Sequence, residues 1–208
     1  MPAWLRDHGI KGGIMDSSPS LRTDRIRRYA VVGTTGSGKS TLARAIGSAL
    51  HIPCIELDAL HWEPGWKETP SEILRQRVDA ATRGPAWVTD GNYGMVREII
   101  WTRAQAIVWL DYPLALILWR LWWRTWKRTL SREHLWGTNY ERLWPQFFSR
   151  DSLFLWALQT YQRRKREYTA LTSGSTYPHL EVFHFTSPKE TKRWLSGLGQ
   201  GRNQCHPG

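Results

Sequence analysis

The chain has 208 residues, of which 41% are hydrophobic and 23% are charged, and its formal net charge is +11. This length suits one domain, and this composition excludes a wholly disordered chain. No run of about 18 apolar residues is free of charge, which excludes a membrane-spanning helix. With only two cysteines, Cys54 and Cys205, we expect no disulfide framework and a cytoplasmic location.

The positive charge is concentrated in the second half of the chain. Eleven basic and three acidic residues lie between residues 119 and 166, which gives this stretch a local charge of +8. Such an excess predicts an anionic ligand. This ligand could be a phosphorylated small molecule, a nucleic acid or the headgroups of lipids.

The two ends of the chain differ from its middle. Residues 1–24 and 199–208 mix glycine, polar and charged residues without periodicity, so we expect a flexible leader and a flexible tail around one domain of residues 25–198. Within that domain, short apolar runs alternate with helical stretches, which predicts a parallel α/β sheet. The runs are Tyr29–Gly33, Pro53–Leu57, Trp87–Asp90, Ala106–Asp111 and Leu180–Phe185.

The first predicted strand leads into a glycine-rich loop that matches G-x-x-x-x-G-K-[ST] in full. Glycines let successive N–H groups and the start of the following helix point at phosphate oxygens. In such a loop Lys39 would reach the β- and γ-phosphates of a nucleotide, and the Ser40 hydroxyl would bind Mg²⁺. The predicted phosphate-binding residues are Gly33, Thr34, Thr35, Gly36, Ser37, Gly38, Lys39, Ser40 and Thr41.

Two later helices have marked beginnings. Thr69 is predicted to cap one helix, with Pro70 at its first position and Glu72 three residues after the cap. The segment Ser187–Glu190 repeats this pattern.

Three aspartates follow predicted strands: Asp58, Asp90 and Asp111. Because ligands bind at the carboxyl ends of parallel strands, we expect these carboxylates to converge on one crevice. Asp90 and Asp111 are the predicted metal residues beside Ser40, although spacing alone leaves the choice among the three acids open.

The stretch 114–130 has the apolar spacing of an amphipathic helix, with arginines at 120, 124 and 128 on another face. Four tryptophans, at 119, 122, 123 and 126, are distributed around it and cannot all face a core. One hypothesis is that this helix lies on a membrane surface. Residues 131–149 are less regular and are predicted to form a mobile lid.

Several segments resemble adenylate kinase and its relatives. Asp90-Gly91-Asn92-Tyr93 is similar to the Asp-Gly segment at the end of a central strand, and Asp111-Tyr112-Pro113 with Arg120 and Arg124 resembles the entry to the lid of those enzymes. The chain resembles more closely the adenylate-kinase-like P-loop family that includes the DNA topology modulation proteins. This likeness covers about Tyr29 to Leu198 and is carried by Leu57–Trp62, Pro64–Trp66, Asp90–Tyr93, Val96–Arg97, Trp109–Pro113 and Ser149–Ser152.

The resemblance implies a three-layer P-loop NTPase fold with a five-stranded parallel sheet, like that of nucleoside monophosphate kinases, and an Arg/Trp-rich helical lid. It also implies that Arg120 and Arg124 contact the nucleotide, while Arg150 and one of Arg163 or Arg164 act from the far side of the lid. The arginine that adenylate kinases use for AMP is missing. Asp58, His61 and Trp62 occupy that region, which weighs against AMP as the acceptor.

These observations lead to one hypothesis and two alternatives. The hypothesis is an ATP- and Mg²⁺-dependent phosphotransferase that acts on a nucleotide, a nucleoside or another small hydroxylated acceptor. Lys39, Asp58, Arg124, Arg150 and Arg164 are its predicted catalytic residues, and Asp58 with Trp62 marks the acceptor site. A nucleic-acid-associated NTPase is the first alternative, although the chain has no helix-turn-helix or zinc-finger signature. The membrane-surface helix is the second.

Overall fold

The computed structural model describes residues 26–65, 67–131, 134–135, 139–140, 153–173 and 176–198. The predicted leader, the predicted tail and most of the predicted lid lie outside the described residues. In chain order the elements are β1 (Arg28–Gly33), α1 (Lys39–Leu50), β2 (Cys54–Glu56), α2 (Leu57–His61), β3 (Trp62–Glu63), β4 (Lys67–Glu68), α3 (Ser71–Ala81), β5 (Trp87–Asp90), α4 (Gly94–Arg103), β6 (Ala106–Leu110), α5 (Leu114–Ser131), β7 (His134–Leu135), β8 (Asn139–Tyr140), α6 (Leu153–Thr172), β9 (Glu181–Phe185) and α7 (Pro188–Gly197).

A five-stranded parallel sheet forms the centre of the molecule, in the order β2-β5-β1-β6-β9. The middle strands β1, β5 and β6 are almost entirely buried, as expected where helices cover both faces of a parallel sheet. Alternate residues of β1 pack into two hydrophobic cores, one on each face of the sheet. Tyr29 and Val31 pack with α1, α5 and α7, whereas Ala30 and Val32 pack with α3, α4 and Tyr168 of α6.

The topology places the phosphate-binding loop at a switch point of the sheet. β1 lies between β5 and β6. The chain leaves β1 toward β2 at one edge, and after β5 it passes β1 to reach β6 on the other side. In open α/β sheets, ligands bind in the crevice that opens beyond the carboxyl end of such a strand. The loop of residues 33–40 occupies that position.

The predicted strands are confirmed with one change that affects the site. β2 ends at Glu56, and Asp58 lies in the first turn of the short helix α2 instead of at the end of the strand. The earlier end of β2 moves this carboxylate from a strand terminus onto a helix.

The capping box at Ser187 is confirmed, since its side chain accepts from Glu190 N–H and the Glu190 side chain accepts from the Ser187 backbone. The predicted cap at Thr69 is wrong. Pro70 takes that position without a side-chain hydrogen bond, and the Thr69 hydroxyl donates instead to the carbonyl oxygen of Leu60.

Two short antiparallel hairpins complete the described structure. β3 pairs with β4 beside α2, and β7 pairs with β8 inside the predicted lid region. No helix in the described part of the chain is long and apolar enough to cross a membrane.

Candidate functional site

The glycine-rich loop owes its path to three residues with positive φ, namely Gly33, Gly36 and Gly38. Two features of Gly36 exclude a side chain. Its φ of 84° is rarely adopted by other residues, and a Cβ there would lie 2.6 Å from Cγ of Leu121 on α5. The loop therefore packs directly against the helix that carries Arg120 and Arg124. This contact links the phosphate-binding loop to the helix that leads into the predicted lid.

Asn92 holds the beginning of the loop through its side-chain amide. Its Oδ1 accepts from the Gly33 N–H at 3.3 Å, and its Nδ2 donates to the Gly33 carbonyl oxygen. The same Oδ1 accepts from the Tyr168 hydroxyl at 2.9 Å. This role of Asn92 was not predicted from the sequence, because Gly33 and Asn92 lie 59 residues apart in the chain.

Lys39 begins α1, and its Nζ donates to the Thr34 carbonyl oxygen at 3.2 Å. Burial lowers the pKa of Lys39 to about 8, and the positive charges of Arg164 and Arg124 add to that effect. The carboxylates of Asp58 and Asp90 act in the opposite direction. Four predicted site residues thus lie within electrostatic reach of the Lys39 ammonium group.

Asp90 and Ser40 form a pair of oxygen donors at the foot of the loop. Burial raises the pKa of Asp90, a hydrogen bond from Ser40 opposes that rise, and the nearby charge of Asp58 adds to it. The second carboxylate oxygen of Asp90, Oδ1, is buried without a hydrogen-bond partner among the described residues.

This pair fits Mg²⁺, which prefers oxygen ligands and is usually held by one or two protein groups together with waters and substrate phosphates. No group of three or more His, Cys, Asp or Glu side chains that could hold a metal occurs among the residues that the structure describes. Ser40 and Asp90 would therefore hold the ion jointly with the phosphates of a bound nucleotide.

Asp111, the third predicted acid, has different partners. Its Oδ2 accepts from Lys165 Nζ on α6 at 2.9 Å and lies 3.1 Å from His184 Nε2 on β9. The His184 ring stacks on Trp109 with a centroid distance of 4.1 Å. The structure thus brings two of the three predicted acids, Asp58 and Asp90, to Lys39, and surrounds Asp111 with cationic or ionisable partners from two other elements.

Asp58 is held by an aromatic cluster beside the loop. Its Oδ1 accepts from the Tyr93 hydroxyl at 2.7 Å, and Tyr93 in turn accepts a hydrogen bond from Trp62. Burial raises the pKa of Tyr93, and the Asp58 carboxylate raises it further, so that the phenol stays protonated and donates. The ring of His61 packs 4.6 Å from that of Tyr93 and is itself almost fully buried.

The predicted arginines have different surroundings. Arg120 donates from Nη1 to the Ser37 carbonyl oxygen at 2.7 Å and lies over the Tyr112 ring. Arg164 on α6 is largely buried, and burial lowers its pKa. Arg124 on α5 is half-buried and contributes to the field at Lys39. Arg150 lies outside the described residues.

The sheet order, the loop at the end of β1 and the lysine at the start of α1 define the P-loop NTPase fold of the nucleoside monophosphate kinase type. The fold predicted from the sequence is thereby confirmed. The chain matches no protein-family model and no curated protein, but solved structures with the same fold were found.

Two solved shikimate kinases share this fold. The enzyme from Bacteroides thetaiotaomicron superposes with a TM-score of 0.51 at 17% identity, covering 86% of this chain and 99% of its own. The enzyme from Acinetobacter baumannii, solved in complex with shikimate, gives a TM-score of 0.51 at 17% identity, covering 89% and 98%. A gluconokinase from Sinorhizobium meliloti 1021 gives 0.47 at 18% identity, covering 86% and 98%.

The likeness to the two shikimate kinases shows the fold. The narrower resemblance to the DNA topology modulation proteins is not confirmed by them and stays a hypothesis.

Proposed function

We propose that the protein is an ATP-dependent phosphotransferase that moves the γ-phosphoryl group of Mg·ATP to a hydroxyl group of a small acceptor. The observation that carries the proposal is the joint position of Lys39 and Asp58. The charge of the Asp58 carboxylate acts on the Lys39 ammonium group, and its Oδ1 accepts a hydrogen bond from the hydroxyl of Tyr93, a residue outside the loop. A cation that would bind phosphate and a carboxylate that would act as a base thus lie within electrostatic reach of each other.

The donor side of the crevice is built to neutralise phosphate charge. In phosphoryl transfer, catalysis consists mainly of positioning and of electrostatic stabilisation of the transferring group. The loop N–H groups and Lys39 would bind the ATP phosphates, and Mg²⁺ on Ser40 and Asp90 would neutralise further charge. Arg124 and Arg164 contribute positive charge at the same point.

The acceptor side would supply the base. Asp58 would accept the proton of the acceptor hydroxyl as its oxygen bonds to the γ-phosphorus and the bond from phosphorus to the ADP oxygen breaks. Tyr93 fixes the carboxylate through Oδ1, and its raised pKa keeps it a donor. Trp62 steadies Tyr93 through a second hydrogen bond.

The comparisons support a small acceptor in general terms. The superposed structures with the higher TM-scores are shikimate kinases, and one of them holds shikimate, a small hydroxylated molecule. At 17% identity this likeness does not transfer the acceptor to this chain.

A screen for acceptor-dependent ADP release tests the proposal. The purified protein with Mg·ATP is mixed with sugars, hydroxy acids, nucleosides and nucleotides in turn, and the γ-phosphate is followed with a radioactive label. We expect one class of acceptor to raise ADP release above the rate without acceptor and to carry the label. Lys39→Met, measured in parallel, corrects for contaminating kinases.

The opposite result is equally clear. ADP release that no small molecule stimulates, with all label recovered as inorganic phosphate, would contradict the transferase. If single-stranded DNA or RNA alone raised that hydrolysis, the nucleic-acid-associated NTPase would replace it. Nucleic-acid binding would then weaken steeply with salt, since it depends on counterion release.

A further inference from the structure

We propose that one face of α5 docks on the surface of membranes that contain anionic lipids. This face, the tryptophan face, consists of Trp119, Trp122, Trp123 and Trp126. Its role is separate from the proposed phosphotransfer, because the P-loop, Asp58 and Tyr93 lie on other elements of the fold. The proposal stands or falls independently of the acceptor.

The tryptophan face lies opposite the side by which α5 packs on the protein. Ile117 and Leu121 are fully buried in the core, whereas Trp119 is 60% exposed and Trp123 is 55% exposed. Trp122 and Trp126 expose 38% and 48%. Since each residue advances about 100° around a helix, the spacing i, i+3, i+4, i+7 places the four rings on one stripe. Large side chains so exposed and contiguous mark an interaction surface.

The four rings pack on one another and form a continuous apolar slab. Trp119 stacks on Trp122 with a centroid distance of 5.4 Å and on Trp123 at 6.2 Å, and Trp122 stacks on Trp126 at 6.0 Å. Because the four rings form one continuous surface, the slab favours a partner that contacts it as a whole.

The surrounding charge indicates an anionic partner. Lys127 is exposed one turn beyond Trp123, and α6, which packs beside α5, exposes Arg163 and Arg166. The whole chain carries +11, so a second copy of this chain would be repelled by like charge. Charge complementarity therefore favours a surface of anionic lipid headgroups over self-association.

A bilayer interface matches both features. Tryptophan is enriched at the level of the headgroups, and amphipathic helices with indole rings on one side and basic residues at the flank lie in the plane of the interface. The depth required is shallow, so the remainder of α5 keeps its packing on the sheet. Arg120 keeps its bond to the P-loop.

Flotation with lipid vesicles tests the proposal. The full-length protein is mixed with vesicles of phosphatidylcholine alone or of phosphatidylcholine with phosphatidylglycerol, and the bound fraction is measured at low and high salt. We expect binding to the anionic vesicles that weakens with salt, and little binding to the neutral ones. Trp119→Ser combined with Trp123→Ser is expected to lower the partition coefficient by about tenfold or more.

Two further variants sharpen the test. Lys127→Glu retains the apolar slab and is expected to weaken binding to the anionic vesicles only. Ile73→Ser combined with Met95→Ser removes exposed apolar side chains from α3 and α4 and is expected to bind like the unaltered protein. Melting temperature and Mg·ATP affinity, measured for each variant, exclude misfolding as the cause of a loss.

Three results would overturn the proposal. The first is equal binding of the unaltered protein and the double tryptophan variant to anionic vesicles. The second is concentration-dependent dimerisation that the double variant abolishes, which would assign the face to a second copy. The third is loss of single-stranded DNA binding in that variant while vesicle binding persists.

Discussion

The phosphate-binding loop and the Asp58 crevice lie side by side, yet they are held by different kinds of interaction. The loop is shaped by its own glycines and by bonds to backbone atoms, from Arg120 to Ser37 and from Asn92 to Gly33. The crevice is a cluster of side chains from separate segments, in which Tyr93 joins Asp58 to Trp62.

The loop provides the nucleotide binding that is common to this fold, whereas the side-chain cluster around Asp58 can differ from one protein to another. A backbone cradle binds any nucleoside triphosphate through its phosphates, and it recurs wherever the same glycine pattern occurs. A side-chain cluster can change its shape and charge by single substitutions. We therefore expect substitutions in the loop to affect ATP binding and turnover together, and substitutions in the crevice to affect turnover alone.

The largest effect is expected for Lys39→Met, which should abolish measurable transfer and weaken Mg·ATP binding in calorimetry. Lys189→Met, an exposed lysine on α7, is the matched control and should be fully active. Transfer by Lys39→Met at the rate of the unaltered protein would remove the loop from the mechanism.

The same variant has a second expected property, a melting temperature at neutral pH higher than that of the unaltered protein. Burial lowers the pKa of Lys39 from 10.5 to about 8. The unfolded chain therefore holds the proton more tightly than the folded chain between these values, and stability rises with pH across that window. Lys39→Met removes the buried charge, so its melting temperature should be higher at pH 7 and lack this rise.

Arg124→Ala should lower kcat by about 10²- to 10⁵-fold, as for other arginines that stabilise the transferring group, and should change ATP affinity much less. Arg166→Ala, an exposed arginine on α6, is the control. Turnover that equals that of Arg166→Ala would place Arg124 on the solvated surface instead.

Mg·ATP affinity should depend on pH because the Lys39 ammonium group must be charged to bind phosphate. Above the Lys39 pKa of about 8, the dissociation constant should rise by up to about tenfold per pH unit. At the acid end, the raised pKa of Asp90 should begin to weaken Mg²⁺-dependent binding at a higher pH than for an ordinary aspartate. Calorimetric titrations across pH check both predictions. A Mg·ATP affinity that stays constant from pH 8 to 10 would contradict the predicted effect of Lys39.

Asn92→Ala should have the smallest effect of the series. It removes two hydrogen bonds to Gly33, and we expect the dissociation constant for Mg·ATP to rise by about three- to tenfold. Tyr168→Phe, which removes only the bond that supports Asn92, should have a weaker effect in the same direction. Unchanged affinity in Asn92→Ala would show that the loop keeps its shape without this side chain.

Features that depend on a local sequence pattern could be predicted from the sequence. The loop of residues 33–40, the apolar strands and the capping box at Ser187 all depend on neighbours within a few residues. The bonds from Asn92 to Gly33 and from His184 to Asp111 join residues 59 and 73 positions apart. Such contacts depend on how the strands are ordered in the sheet, which spacing along the chain does not encode.

Asp58 shows the same limit at shorter range. The apolar run around Ile55 predicted a strand that continued through Leu57, but the backbone turns into α2 directly after Glu56. The charge of this carboxylate acts on Lys39. Its partner Tyr93 lies 35 residues away and could not be identified from spacing.

Asp58→Asn tests most directly whether donor and acceptor sites are separate. The substitution keeps the shape of the side chain and removes its charge and basicity. We predict that turnover collapses while Mg·ATP affinity stays within about twofold of the unaltered protein. Asp79→Asn, which breaks ion pairs to Arg83 and Arg103 away from the crevice, should lower the melting temperature and leave turnover intact. If Asp58→Asn instead weakened ATP binding in a magnesium-dependent way, or kept full turnover, the assignment of Asp58 to the acceptor would be contradicted.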